Sequence, residues 1–463
     1  MVPGIPLDGF QGTILIYKLF PGQFAFPVLR SLQEEKLMKT IIRNVTVLDG
    51  TENMEPYQSD IVIEGGIIQD ITENAEFTVE DKVIEADGKY VMPGLINMHV
   101  HLAGNGKPQK KQRDNTKLVN TIFSVPFGPS IAYRMVQNFA ELELYSGVTT
   151  IRTVGGLKDF DTRLRDEINA GTKKGPRILA SNEGISVPGG HMAGSVATIA
   201  TNTVEIREQV RARAEEKVDL IKLMITGGVM DAKAKGVPGE LKMSAEMVRA
   251  ACEEAHKLGF IVAAHTESPE GVRVALENGV DSIEHGALPD QKIIDLFKER
   301  KAFVTTTLSP ALPYALFDRS ISHTSEVEQY NGNVVFEGIQ ACAKAALANG
   351  IPVALGNDVG CPWITQYDFW RELVYFHKYC NVSNRFALYS ATLNNARLAG
   401  IGNITGSIEK GKSADLIITT NNPLDDLTAL RKIECVIMKG EVTEHPKVKR
   451  NSYVDSQLDP FLK

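Results

Sequence analysis

The sequence predicts an α/β protein: a (β/α)8 barrel (a TIM barrel) carrying a small β-sandwich domain formed from both chain ends. Three observations lead there. Eight strand-like apolar segments alternate with helix-like segments across residues 94–399. Short strands separated by Gly, Asn and Asp turns occur before that stretch and again after it. Residue types that bind metals recur at the C-terminal ends of the alternating strands, the end where such barrels carry their sites.

The 463 residues suffice for one large core and a smaller one. With 43% hydrophobic and 23% charged residues the composition is that of an ordinary globular protein. A formal net charge of −7 gives no reason to expect a nucleic-acid partner. No stretch approaches the ~18 apolar residues of a membrane span. Five scattered cysteines (Cys252, Cys342, Cys361, Cys380 and Cys435) read as reduced thiols of a cytoplasmic protein.

Residues 1–38 mix Gly and Pro with apolar residues and lack the basic start of a signal peptide, so they read as an appended extension without order of its own, or as an arm. Residues 39–93 hold the strand patterns Thr40 to Leu48, Ile61 to Glu64, Ile67 to Ile71 and Lys82 to Glu85. Residues 400–446 hold a matching set, Ala414 to Thr419 and Ile433 to Met438. Each set alone is too small for a core; together they predict one β-domain. Residues 447–463 read as a tail. The barrel strands are Leu95 to His99, Val148 to Arg152, Arg177 to Ala180, Leu220 to Ile225, Phe260 to Ala264, Ser282 to His285, Phe303 to Thr307 and Pro352 to Leu355. Between them, Ser244 to Leu258 has a helical polar face and stops at Gly259, as a helix C-terminus should. An open doubly wound sheet would not bring the first and eighth strands together.

His99 and His101 lie two apart at the end of the first strand, so both imidazoles face one way and can grip one metal ion. Lys222 interrupts an apolar strand. Burial favours its neutral amine, and a neutral amine takes up CO2 to give a carbamate whose two oxygens can bridge two metals. His265 and His285 end the next two strands and suit a borderline metal such as zinc. Asp358, after the last strand, can bind metal and accept a proton from water. His191 follows Gly189-Gly190 and is placed to hydrogen-bond a substrate carbonyl. Arg152 ends the second strand, where it would pair with a substrate carboxylate or a barrel acid. His323 is a further substrate-contact candidate, whereas His256 and His377 read as surface and structural. The run Lys107 to Arg113 would overhang the site as a solvated or substrate-attracting loop. A scaffold without chemistry would be expected to have lost ligands, and here a candidate stands at each position.

These motifs resemble the amidohydrolase superfamily, and within it the binuclear-zinc prolidase-like (Xaa-Pro or Xaa-Arg) dipeptidases and the imidazolonepropionase group. The carrying residues are Pro93 to His101, Gly147 to Arg152, Gly189-Gly190-His191, Ile221-Lys222 to Gly228, His265, Glu284-His285-Gly286, Gly356-Asn357-Asp358 and Gly406 to Leu416. The resemblance implies His99, His101 and Asp358 on one zinc ion, His265 and His285 on a second, and carboxylated Lys222 between them. It also implies a bridging hydroxide that attacks the amide of a dipeptide or N-acyl amino acid, with Asp358 carrying its proton, and a homo-oligomer. A cyclic-amide hydrolase of the imidazolone or hydantoin type, with one metal, is the alternative; deaminases of this superfamily commonly lack the bridging lysine. The chain departs from the pattern where Thr153 follows Arg152, where Asn357 precedes Asp358, and at Cys361-Pro362-Trp363.

Overall fold

The structure is a computed structural model that describes residues 38–110 and 114–463. The expectation for residues 1–37 lies outside the described residues, as does that for Lys111 to Arg113. Both chain ends build one sheet. Strands β1 (Thr40–Val47), β2 (Tyr57–Glu64), β3 (Ile67–Thr72), β4 (Lys82–Glu85) and β5 (Tyr90–Pro93) come from the first 93 residues. Three more come from the far end (Leu416–Thr419, Cys435–Met438 and Glu441–Glu444), and the first of these pairs antiparallel with β5 (Ile417↔Met92). All eight share one mixed hydrogen-bonded sheet. Ile42, Val47, Ile61, Val91, Leu416, Ile418 and Ile437 form its apolar core, each burial contributing about 1.5–3 kcal/mol. Neither end could bury these side chains alone.

The eight strands expected between the ends are present: β6 (Leu95–Val100), β7 (Val148–Thr153), β8 (Arg177–Leu179), then, after two short strands β9 (Gly184–Ser186) and β10 (Ala197–Ile199), β11 (Leu220–Met224), β12 (Ile261–Thr266), β13 (Ser282–His285), β14 (Phe303–Thr306) and β15 (Val353–Leu355). They lie parallel in two sheets, β6-β7-β8 and β10-β9-β11-β12-β13-β14-β15. The third strand is shorter than the sequence suggests. The chain turns at Asn182, whose φ of 54° is left-handed; its side chain accepts from Thr162 N and donates to Thr162 Oγ1, which holds the turn. Pairing with β11 then passes to β9, through Leu223↔Ile185.

The first and last strands meet where Asp358 N donates to His99 O and His101 N to Val359 O, both at 3.0 Å. This approach requires Gly356, because a Cβ there would lie 2.5 Å from His99 Cβ. The expected helix forms over Ala245–Lys257 with Ser244 as its N-cap. The segment read as a tail is folded against the rest. Helix Ser452–Leu458 buries Val454 and Leu458, and Arg371 Nη2 donates to Asp455 at 2.9 Å. All five cysteines are free. Among the described residues no helix is long and apolar enough to cross a membrane.

Candidate active site

The strand ends deliver the predicted residues to one cleft. His99, His101, His191, Lys222, His265, His285 and Asp358 all line it. Parallel register explains the convergence: Met224 pairs with His265, and Thr266 with His285, so the side chains leave the sheet at one level.

Each imidazole has one ring nitrogen engaged. His99 Nδ1 lies 2.7 Å from Glu284 Oε2, His101 Nδ1 2.8 Å from the Gly155 carbonyl, His285 Nδ1 2.6 Å from Thr307 Oγ1, and His265 Nε2 3.2 Å from the Gly227 carbonyl. A carbonyl or carboxylate partner must receive an N–H, so in the neutral rings of His99 and His265 the opposite nitrogens carry bare lone pairs. Burial holds His99 down to about 4, with Lys222 adding to the effect. Burial likewise holds His265 and His285 well below the usual range, helped by neighbouring histidines. These rings are neutral, as ligands must be.

Asp358 Oδ1 lies 3.2 Å from His101 Nε2 and 3.5 Å from His99 Nε2. It is buried and has no hydrogen-bond partner of acceptable geometry. Lone pairs facing a carboxylate oxygen in a buried space repel one another, and a cation is what reverses the sign. Ligand atoms of His99, His285 and Asp358 lie within 4.8 Å of one another, as do those of His265, Glu267 and His285. The donor set of imidazoles and carboxylates therefore fits a divalent metal. His285 and Asp358 also hold left-handed φ values of 69° and 55°, a strain of about 1–3 kcal/mol each that recurs at functional sites. Lys222 is 2% exposed, and burial lowers its amine to about 8 despite the nearby Glu284 and Asp358.

Arg152 does not reach the cleft. It is 1% exposed and sits beneath the ligands, donating from Nε to Met98 O (2.7 Å) and from Nη2 to Glu284 Oε1 (2.7 Å) and Thr305 Oγ1 (3.0 Å). The reading of Arg152 as a substrate-binding residue is corrected: its partner is a barrel acid, Glu284, which in turn orients His99. Burial alone would raise the Glu284 carboxyl, but Arg152 and His99 outweigh it and hold it well below the carboxylate range. His323 is not among the residues that line the cleft; it lines an adjoining groove with Gln109, Ser322 and Trp363, which shares Met230, Tyr314 and Pro362 with the cleft. His256 binds Asp281 (2.9 Å) and His377 the Val382 carbonyl (2.6 Å), as surface and structural residues.

Three acids escaped the sequence reading. Asp231 Oδ2 takes the Nδ1 proton of His191 at 2.6 Å, and His191 stacks on His265 with centroids 4.1 Å apart. Nothing local in the sequence signals that pairing. Glu284 was legible as a charge inside an apolar strand, which demands a partner. Glu267 stands two residues after His265 and so shares its face, by the rule that singled out His99 and His101. Burial, with Asp358 adding to it, raises the Glu267 carboxyl to about 8. The lining also includes an apolar set, Met192, Met230, Pro310, Ala311, Val335 and Ile339.

The amidohydrolase family model matches residues 90–443. A crystal structure of a Bifidobacterium longum protein assigned as a prolidase is 34% identical, covers 92% of this chain and 99% of its own, and superposes with a TM-score of 0.80. An Xaa-Pro dipeptidase with methionine bound in its active site is 29% identical over 88% of this chain and 100% of its own, at a TM-score of 0.77. Ochratoxinase from Aspergillus niger is 26% identical over 424 residues, 79% of this chain and 82% of that protein.

Proposed function

Because the chain belongs to the amidohydrolase family, hydrolases of C–N bonds, we propose that it hydrolyses the amide bond of a small substrate, a dipeptide or an N-acyl amino acid, with two divalent metal ions. One observation carries this reading: imidazoles tethered on one side turn their other ring nitrogen toward the same space as the orphaned Asp358 Oδ1 and the buried Lys222. The likeness to a dipeptidase that binds methionine and to ochratoxinase supports the amide and the amino-acid portion. The parallel strands are read as a closed barrel, since the backbones of β6 and the Asp358 loop are hydrogen-bonded.

His99, His101 and Asp358 would hold one ion, His265 and His285 the other, and Lys222, once carboxylated, would bridge them. Bound divalent ions supply polarisation of the scissile carbonyl and a lowered pKa for water. The chain's own groups do the rest. Asp358 accepts the proton released by the attacking water on a carboxylate oxygen and returns it to the leaving nitrogen. Asp231 fixes His191 through Nδ1–H, and in the doubly protonated ring that this carboxylate can hold, Nε2–H would be donated to the carbonyl oxygen as negative charge develops. The apolar set in the lining keeps water from the bond and receives an apolar side chain.

The test is elemental analysis of protein purified without chelator in the presence of bicarbonate, followed by dipeptide and N-acyl amino acid libraries. Two zinc ions per chain and turnover of such amides are expected. One ion per chain would favour the cyclic-amide alternative, and a two-metal protein inert on both libraries would refute the substrate class.

A further inference from the structure

The cleft contains one carboxyl to which the roles proposed above give neither a metal nor a proton, although its ligand atom lies within 4.8 Å of those of His265 and His285. Glu267 lines it and forms no ion pair among the described residues. Its position is built. The backbone N donates to Thr226 Oγ1 at 3.1 Å, and Gly239 lets that backbone pass so closely that a Cβ would lie 2.4 Å from Glu267 C. Ser268 immediately caps the helix Pro269–Glu277. Val229 N donates to Oε2 at 3.0 Å, which leaves Oε1 for another donor. Oε1 therefore faces the cleft with its acceptor positions open to a donor on a bound molecule.

The turn that holds Glu267 also holds His191. Val229 N binds Glu267, while Asp231 Oδ2 accepts both Gly228 N (2.9 Å) and His191 Nδ1 (2.6 Å). A Cβ on Gly228 would lie 3.1 Å from His191 Cε1 and 3.5 Å from Glu267 Oε2, so the two side chains are neighbours above this glycine. One offers a donor for a carbonyl oxygen and the other an acceptor for a cation. An α-aminoacyl group presents a carbonyl oxygen and an α-ammonium nitrogen in just this adjacency, joined through one Cα. An N-acyl amino acid has no cation on that side of its scissile bond.

We infer that Glu267 recognises the free α-ammonium group of the substrate's N-terminal residue, making the chain selective for unblocked dipeptides with an apolar first residue. This rests on the amide-hydrolase reading above and narrows its substrate class.

The test compares metal-loaded protein with Glu267→Gln, using leucyl-proline and N-acetyl-leucyl-proline as a matched pair. Calorimetric binding of free leucine against N-acetyl-leucine runs alongside and needs no turnover. Elemental analysis of both proteins completes the set. The parent should favour the free amine. In Glu267→Gln the ratio of kcat/KM for the free over the acetylated dipeptide should fall about 10- to 100-fold, chiefly through KM, the size of one charge-assisted hydrogen bond. Leucine binding should weaken to match while metal content stays the same. Glu267→Asp keeps the charge and should keep the preference. Equal leucine affinity in parent and Glu267→Gln, or equal losses on both dipeptides, would overturn the inference. Loss of a metal ion from Glu267→Gln would overturn it by making Glu267 a ligand. If neither dipeptide is cleaved, the libraries described above decide the proposed function, and the leucine comparison still decides the role of Glu267.

Discussion

Replacing Arg152 with Met should destabilise the protein severely without acting at the substrate. The guanidinium is enclosed and is the counter-ion of Glu284, which is 0% exposed. The substitution keeps most of the side-chain volume but strips Glu284 of its charge partner and removes the donor that Arg152 gives to the Met98 carbonyl and to Thr305 Oγ1. Breaking one side of a buried pair costs about 3–5 kcal/mol, roughly two to four orders of magnitude in the folding equilibrium. The shift in urea midpoint at constant slope reads this directly. Glu284 also orients His99 through Nδ1, so metal affinity should fall about 10- to 100-fold, the usual effect of losing a partner behind a ligand. Removing the unpaired charge as well should recover much of the loss. The double variant Arg152→Met/Glu284→Gln should therefore be less destabilised than the two single effects summed. Additive losses would refute the pairing. A variant of parental stability whose only defect is a raised KM for carboxylate-bearing substrates would return Arg152 to the substrate site.

Three further outcomes follow from the same geometry. Lys222→Ala should lose metal and activity, and a short-chain carboxylic acid should partly restore both; unchanged metal stoichiometry would remove the carbamate. Gly356→Ala places a Cβ 2.5 Å from His99 Cβ, so it should weaken metal retention while leaving Asp358 and the imidazoles in the chain, and parental metal content would show that the backbone gives way at little cost. Glu372 accepts from Leu308 N, Ser309 N and Ser309 Oγ, and burial raises its carboxyl to about 8. The folded protein holds that proton more tightly than the unfolded chain, so this group lowers stability as pH rises from about 4.3, its unfolded value, to about 8. Relative to the parent, Glu372→Gln should be less destabilised at pH 8 than at pH 4, and an unchanged difference across that window would refute the shift.

The sequence by itself determined the strands and the level at which the ligands emerge. Apolar runs bounded by Gly and Asp fix where β6, β7 and β11 to β15 lie to within a residue or two at each end, because strand burial and turn chemistry are local. The two-residue period then puts His99 and His101 on one face, and Lys222 declares itself as a charge where only a buried side chain fits. Tertiary structure alone decided which charges meet. Arg152 and Glu284 are 132 positions apart, and only the sheet order sends the guanidinium inward beneath the cleft, not up into it. His191 finds Asp231 across 40 positions, through a loop and a turn that carry no periodic signal. The last residues become a docked helix because Arg371 waits, buried, for Asp455 and Asp459. Local pattern specifies what each segment is; pairing between distant segments depends on topology, which puts long-range partners within a hydrogen bond only after the chain has folded.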